Sequence, residues 1–595
     1  MAFIGVFFIS IAFSFLILCN IFGHAYSLSR LLNIKSNLIL TNFIVGSLSI
    51  IFFSYSINFF FPLKPVITNS FFIFFTIIGL IFIISNFRDY LIQILIISII
   101  VSVITIFSTS YNDYELYHLP YMEIIRKFKI IFGLSNLDFR YAHAAVFQNI
   151  SAFQYNSLMG IDSYLFYAPI LFIISLGFIL KKIINTNINE VYFIGLVSTI
   201  YFIIHGSRYG SLGNDYPAHI LAIISLILFL QIKNNHSNSV SEQFLMLSII
   251  LILVLSKFSL IFFIILPIYL ILKKKILINL KIIFLIILGL LFLSKNIINS
   301  SCLVYPISSL CFQTQWSTHK HSFGSPEIVS IESGAVAKAY LDSNYLNNPD
   351  KIKEFQNIFF LDKKNLNNFN NLSENMKNEF FRYHNYKNYS KFVNWFPEYL
   401  NSKDFYKLIK NIIFLNLLIY VLCYFYFKFS KCSVLNNYTF TQYIKKNIFF
   451  ISFISFNSIF WLIAFPQVRF GLSYILVFCL FPTLIKFRNY DISIFKSVLL
   501  KYLLILPLIY ALYENANRIS KSIFTDEFDD MRQSIVFLKA KKNFKTIKIN
   551  ESHDLRQPIG GVCSDIEQFC TVFTEQFIEN SRKIHSKYGG YFFIY

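Results

Sequence analysis

The chain is short of the residues that clothe a soluble protein. Only 14% of its positions are charged while 56% are hydrophobic, and the mean hydropathy is +0.58 over 595 residues, which excludes a soluble globule and leaves a polytopic membrane protein. Glycine, alanine and proline are scarce beside abundant Phe, Ile, Asn, Lys and Tyr, a balance that looks like AT-rich codon usage, so isolated Phe-rich stripes and Asn-Lys runs carry little weight. No CxxC doublet or His/Cys cluster argues for zinc. The formal charge of +21 is not gathered into a basic domain but spread in small groups between apolar runs, which excludes nucleic acid as a partner. The N-terminal run, MAFIGVFFISIAFSFLILCNIFG, lacks a basic n-region and a clear cleavage site, and is expected to be a retained membrane helix. There is no internal repeat.

What is present is a series of apolar runs long enough to span ~30 Å of hydrocarbon, near 2–23, 38–61, 66–86, 90–109, 164–181, 191–206, 217–232, 276–294, 406–428, 447–465, 469–486 and 497–514. A further run, 243–272, carries Lys257 between Ser256 and Ser259 at its middle. The basic connections at Lys181–Lys182, Lys233, Lys273–Lys275, Lys428–Lys446 and Lys486–Lys496 belong in the cytoplasm. They share one side only if 243–272 is two short helices meeting at Lys257. The predicted fold is therefore an all-α polytopic membrane protein of about 12–14 transmembrane segments, with both termini and the tip at Lys257 outside the cytoplasm. A membrane domain over 1–514 is expected to carry extracytoplasmic loops at 110–163 and 295–405, followed by a small mixed strand-and-turn tail over 515–595.

Polar residues beside hydrocarbon are costly, so those at the outer boundary are functional candidates. In NDYELYHLP, Asp113, Glu115 and His118 have acid/base capacity; an extended strand would point Asp113 and Glu115 the same way, and a helix would align Glu115 with His118. A capped interfacial helix is the plainer reading, with Asn112 or Asp113 as cap and Pro120 in the first turn. GLSNLDFRYAH brings Arg140 and His143, of which the arginine reads equally as a lipid-headgroup anchor. HGSRYGSLGNDYPAHI places Arg208 and Asp215 in one tight loop, although Asp215 also reads as a helix cap. Lys257 calls for an anion or water, or snorkels from a broken helix end. Arg469 opens a helix after Pro466. Cations around a carboxylate site suggest an anionic lipid-phosphate ligand. Two close cysteine pairs, Cys302 with Cys311 and Cys563 with Cys570, fall on the expected oxidising side and are predicted disulfides.

D-x-E-x-x-H in a first outer loop, followed by many spans, a polar outer loop and an outer arginine, resembles the GT-C superfamily of polytopic glycosyltransferases. YHLP, GLSNLDFR, NDYPA, the Val304–Tyr305–Pro306 turn, FPQVRFGLS and the tail cysteine pair look like an uncharacterised bacterial membrane-protein family of that type. The resemblance implies a polyprenyl-phosphate sugar donor in the bacterial inner membrane, an acceptor that is a glycan, lipid or protein, and an active site facing the periplasm or cell exterior. It implies that Asp113 is a base or metal-binding carboxylate with Glu115 as partner, which leaves a divalent metal open. The tyrosine between them departs from the adjacent acidic pair of many members. The expected reaction is sugar transfer with inversion, Asp113 taking the acceptor proton and Arg208, Lys257 and Arg469 stabilising the departing phosphate. A flippase for lipid-linked saccharides and a polysaccharide polymerase or ligase are the alternatives.

Overall fold

The computed structural model describes residues 2–35, 38–106, 118–136, 139–143, 145–210, 213, 215–234, 240–273, 279–317, 326, 329, 392–429, 439–490, 504–514 and 517, with four short strands near the C-terminus. Among the described residues, ten helical stretches are long and apolar enough to cross a membrane, and the protein is an all-α polytopic membrane protein in this part of the chain. In chain order, α1 is Ala2–Leu31, α2 Ile39–Phe60, α3 Pro65–Ser85 and α4 Phe87–Ile106. Two short helices, α5 (Leu119–Lys127) and α6 (Val146–Phe153), precede α7 (Tyr167–Asn185), α8 (Asn189–Ile204), α9 (Asp215–Lys233), α10 (Val240–Ser256), α11 (Ile265–Leu272) and α12 (Leu280–Ser300). Then come α13 (Phe392–Leu400), α14 (Lys403–Leu408), α15 (Phe414–Phe429), α16 (Phe440–Ala464), α17 (Val468–Phe478), α18 (Phe481–Lys486) and α19 (Leu504–Glu514). The strands form two antiparallel pairs, Thr546–Asn550 with Leu555–Pro558 and Arg582–His585 with Tyr591–Ile594.

Burial sorts the helices. The apolar window of α9 is 89% buried and that of α12 only 28%, so α9 is a central element and α12 faces outward along much of its length. The central α8 is 16 residues long, about 24 Å, shorter than a hydrocarbon core. Because neighbouring helices surround it, its length need not match the bilayer. The first bundle closes on glycine. A Cβ at Gly23 would lie 1.8 Å from the Phe75 carbonyl oxygen, and one at Gly79 1.8 Å from that of Cys19, so α1 and α3 cross backbone to backbone.

Hydrogen bonds define two ends of the bundle. At one, Lys182 at the end of α7 pairs with Glu242 at the start of α10 at 2.8 Å, and Lys233 at the end of α9 donates to the Lys446 carbonyl at 2.8 Å. There Asn447 donates to Glu190 at 2.9 Å, and Asn189 donates to the carbonyls of Phe487, Arg488 and Tyr490. At the other, Asn58 near the end of α2 donates to the Ile125 and Phe128 carbonyls, Gly133 N–H donates to Ile298, and Trp316 Nε1 to Ile297. The first end gathers the lysines; the second carries α5 and α6.

Lys257 breaks 243–272 into two. The residue is extended (φ −150°, ψ 109°), ends α10, and is followed by a 3-10 stretch, Phe258–Ile264, and then α11. Pro267 has no N–H to give the preceding turn, and the tighter winding comes just before it. The chain reverses at the break: Tyr269 of α11 stacks on Phe449 at 3.8 Å and lies 5.9 Å from Phe229, both towards the lysine-rich end. Lys257 is therefore the tip of a helical hairpin at the opposite end.

Candidate functional site

At that tip the Lys257 ammonium meets the Asp215 carboxylate at 2.5 Å and also donates to the Arg469 backbone carbonyl. The lysine side chain is 8% exposed and the aspartate 35%. Asp215 is the first residue of α9, where the N-terminal dipole favours a carboxylate. Three side chains stitch the hairpin tip and α9 to α17. Besides Lys257, His219 Nε2 donates to the same Arg469 carbonyl at 2.8 Å, the Ser473 hydroxyl lies 3.1 Å from His219 Nδ1, and Ser259 donates to the Phe470 carbonyl at 3.1 Å. The FPQVRFG segment is shaped for this. Pro466 separates α16 from α17, Trp461 Nε1 donates to the Gln467 carbonyl at 2.7 Å, and a Cβ at Gly471 would strike the Trp461 ring at 2.3 Å. Arg469 Nε donates to Gln467 Oε1 at 2.9 Å, with the guanidinium 4.9 Å from the Phe470 ring centre.

His118 reaches the same region from α5. Its Nδ1 lies 2.5 Å from Gln148 Nε2, while Gln148 Oε1 accepts from the Ala145 N–H at 2.9 Å. With the amide oriented by that second bond, Nδ1 is the acceptor and the imidazole proton sits on Nε2. Burial pulls the His118 pKa down to about 4; the Asp215 carboxylate opposes the fall and the Arg140 guanidinium adds to it. The imidazole is thus neutral at neutral pH and within electrostatic reach of both groups. His205, just after α8, is also held down to about 4 by burial, with Arg208 adding to the effect. Arg208 donates to the Tyr216 hydroxyl at 2.6 Å.

The structure brings together His118, Arg140, Asp215, Lys257 and Arg469, and puts Arg208 one loop away beside Tyr216. Tyr305 packs with Ala142, Cys302 and Val329 against Phe139, beside the turn that carries Arg140. Cys302 and Cys311 are joined in a disulfide that closes this loop. Asp113, Glu115, Cys563 and Cys570 lie outside the described residues, as does the side chain of His143. Among the described residues no cluster of three or more His, Cys, Asp or Glu side chains could hold a metal ion. Sequence reasoning missed Gln148 and His219, whose importance rests on partners 30 and 250 or more residues away. It also missed Lys295, which lies just past the end of the apolar run at 276–294 and reads there as an ordinary flanking lysine.

Fold and cluster together define a polytopic helical membrane protein with a cation-rich polar site at the end of the bundle opposite Lys182, Lys233 and Lys446. A family model described as a domain of unknown function (DUF8201) matches residues 5–324, more than half of the chain, and the protein belongs to that family. The matched segment includes His118, Arg140, Asp215 and Lys257 and stops short of Arg469. No curated protein and no solved structure matches the chain.

Proposed function

We propose that the protein is a membrane glycosyltransferase of GT-C type that moves a sugar from a polyprenyl-phosphate donor to an acceptor hydroxyl on the non-cytoplasmic face. The observation that carries this reading is the convergence of His118, Arg140, Asp215, Lys257 and Arg469 at the end opposite Lys182, Lys233 and Lys446. Asp113 and Glu115 precede His118 in the chain by five and three residues. In the reaction Asp113 takes the acceptor proton, and Arg208 and Arg469 meet the leaving phosphate. Lys257, already engaged by Asp215 and the Arg469 carbonyl, serves to position Arg469.

Transfer from a radiolabelled polyprenyl-phosphate sugar tests this. Asp113→Asn keeps the size and capping ability of the side chain but cannot accept the proton, and should lower the rate ~10²- to 10⁴-fold with unchanged membrane insertion. Arg469→Ala should weaken donor binding through the loss of charge-assisted bonds. Unchanged transfer in Asp113→Asn moves the base to Glu115. Unchanged transfer with both carboxylates replaced sinks the transferase reading, and movement of the lipid-linked saccharide across vesicles then becomes the measurement to make.

A further inference from the structure

A second cation is buried in α12, apart from the Asp215 cluster. Lys295 is 1% exposed. Its ammonium donates to Asn149 Oδ1 at 2.6 Å and lies 5.2 Å and 5.1 Å from the ring centres of Tyr55 and Tyr121. Among the described residues no carboxylate pairs with it. The electron-rich faces of two tyrosines temper the charge but do not use its N–H groups. An ammonium offers three donors, and Asn149 takes one.

The surroundings add two further N–H or O–H donors. Among the described residues Asn149 Nδ2 and the Tyr55 hydroxyl are buried without a partner, as is Oδ1 of Asn299, whose side chain bonds Tyr121. Unmet buried donors around an unpaired ammonium are costly, and an acceptor with several lone pairs relieves them together. Lys295 is five residues, about 7.5 Å, from the Ser300 end of α12, beneath α5 and α6 at the end opposite Lys182 and Lys233. The donors come from α2, α6 and α12, which suits a group with oxygens on several sides.

We propose that Lys295, Asn149 and Tyr55 form a binding site for one phosphate group, held by the ammonium, the amide N–H and the phenol O–H. The phosphate is either a free ion or the headgroup of a lipid entering from the membrane, and the site stands whether or not sugar transfer occurs at the Asp215 cluster.

The test is thermal unfolding of the full-length protein in detergent, titrated with inorganic phosphate, with sodium acetate and with dodecyl phosphate at constant ionic strength. Wild type and Lys295→Arg should show a saturable rise in melting temperature with phosphate, and Lys295→Met should show none. Should Lys295→Met not fold, Tyr55→Phe carries the test, since losing one bond to a charged group should weaken the apparent affinity roughly tenfold. A stronger response to dodecyl phosphate supports the lipid headgroup, and an equal one supports the free ion. The proposal is overturned by no response in wild type, by the same response in Lys295→Met, by an unweakened Tyr55→Phe, or by acetate acting as well as phosphate.

Discussion

Asp215 and Lys257 form a pair whose two members are unequally placed, and that asymmetry is measurable. Removing Asp215 leaves an ammonium that is 8% exposed, whereas removing Lys257 leaves a carboxylate that is 35% exposed and keeps some water. Asp215→Ala should therefore cost about 3–5 kcal/mol and Lys257→Met about 1–2 kcal/mol in denaturation of the detergent-solubilised protein. The double variant should cost less than the sum of the two. Equal single losses would show that the pair is more evenly solvated than its geometry indicates. His118 makes a pH-dependent statement. Its pKa is about 4 in the folded protein against 6.5 for a free imidazole, so only the unfolded chain takes up the proton between those values. Stability is full above pH 6.5 and falls as the pH drops towards 4, by about 3 kcal/mol from this residue alone at ~1.4 kcal/mol per unit. His205 adds in the same direction. Melting temperatures from pH 8 to pH 4 should show the decline, and His118→Gln should make it shallower while leaving the part due to His205.

Among the elements, the α1–α3 crossing is the least tolerant contact. Gly79→Ala puts a methyl group 1.8 Å from the Cys19 carbonyl oxygen, backbone that no side-chain rotation can relieve, so the helices must separate. Overpacking of this kind costs typically 1–3 kcal/mol, and a rigid backbone contact belongs at or above the top of that range. Gly177 in α7 is the control, because nothing lies within 4 Å of its added Cβ. Gly177→Ala should be neutral or stabilising by up to ~1 kcal/mol through helix propensity. Fluorescence-detected size exclusion after heating separates the two. The hairpin tip behaves differently, being held by hydrogen bonds from Lys257 and Ser259 to the carbonyls of Arg469 and Phe470. Changes there should displace the start of α17 and leave the bundle packed.

At the scale of the whole molecule, alternating helices give a bundle with one lysine-rich end and one end that carries the polar cluster. Lys35 belongs to the first end, where Lys281 donates to the neighbouring Asn33 carbonyl, and Leu158 to the second, where Ser157 bonds Asn69 at the start of α3. Both are exposed. A membrane-impermeant maleimide on intact cells should label Leu158→Cys directly and Lys35→Cys only after permeabilisation. The reverse pattern would put the cluster in the cytoplasm and remove the basis for a lipid-linked donor on the outer face.

Much of this architecture was legible in the chain because bilayer thickness imposes a length and the lysines impose a side. Both are local sums over sequence, which is why the apolar runs among the described residues fall on helices and why 243–272 divides at Lys257. Cys302 and Cys311 were close enough in sequence to suggest their bond. Convergence is another matter. That Lys257 meets Asp215, that His219 and Lys257 share the Arg469 carbonyl, and that His118 leans on Gln148 depends on which helix packs beside which. Hydropathy does not encode such neighbours, since one apolar helix face fits many others. Tyr305 illustrates the difference: in sequence it is one residue of the Val304–Tyr305–Pro306 turn, and only packing sets it against Phe139 and Ala142, beside Arg140. Lys295 illustrates it in reverse, because only the arrival of Asn149, Tyr55 and Tyr121 from other helices turns an unremarked flanking lysine into a buried charge.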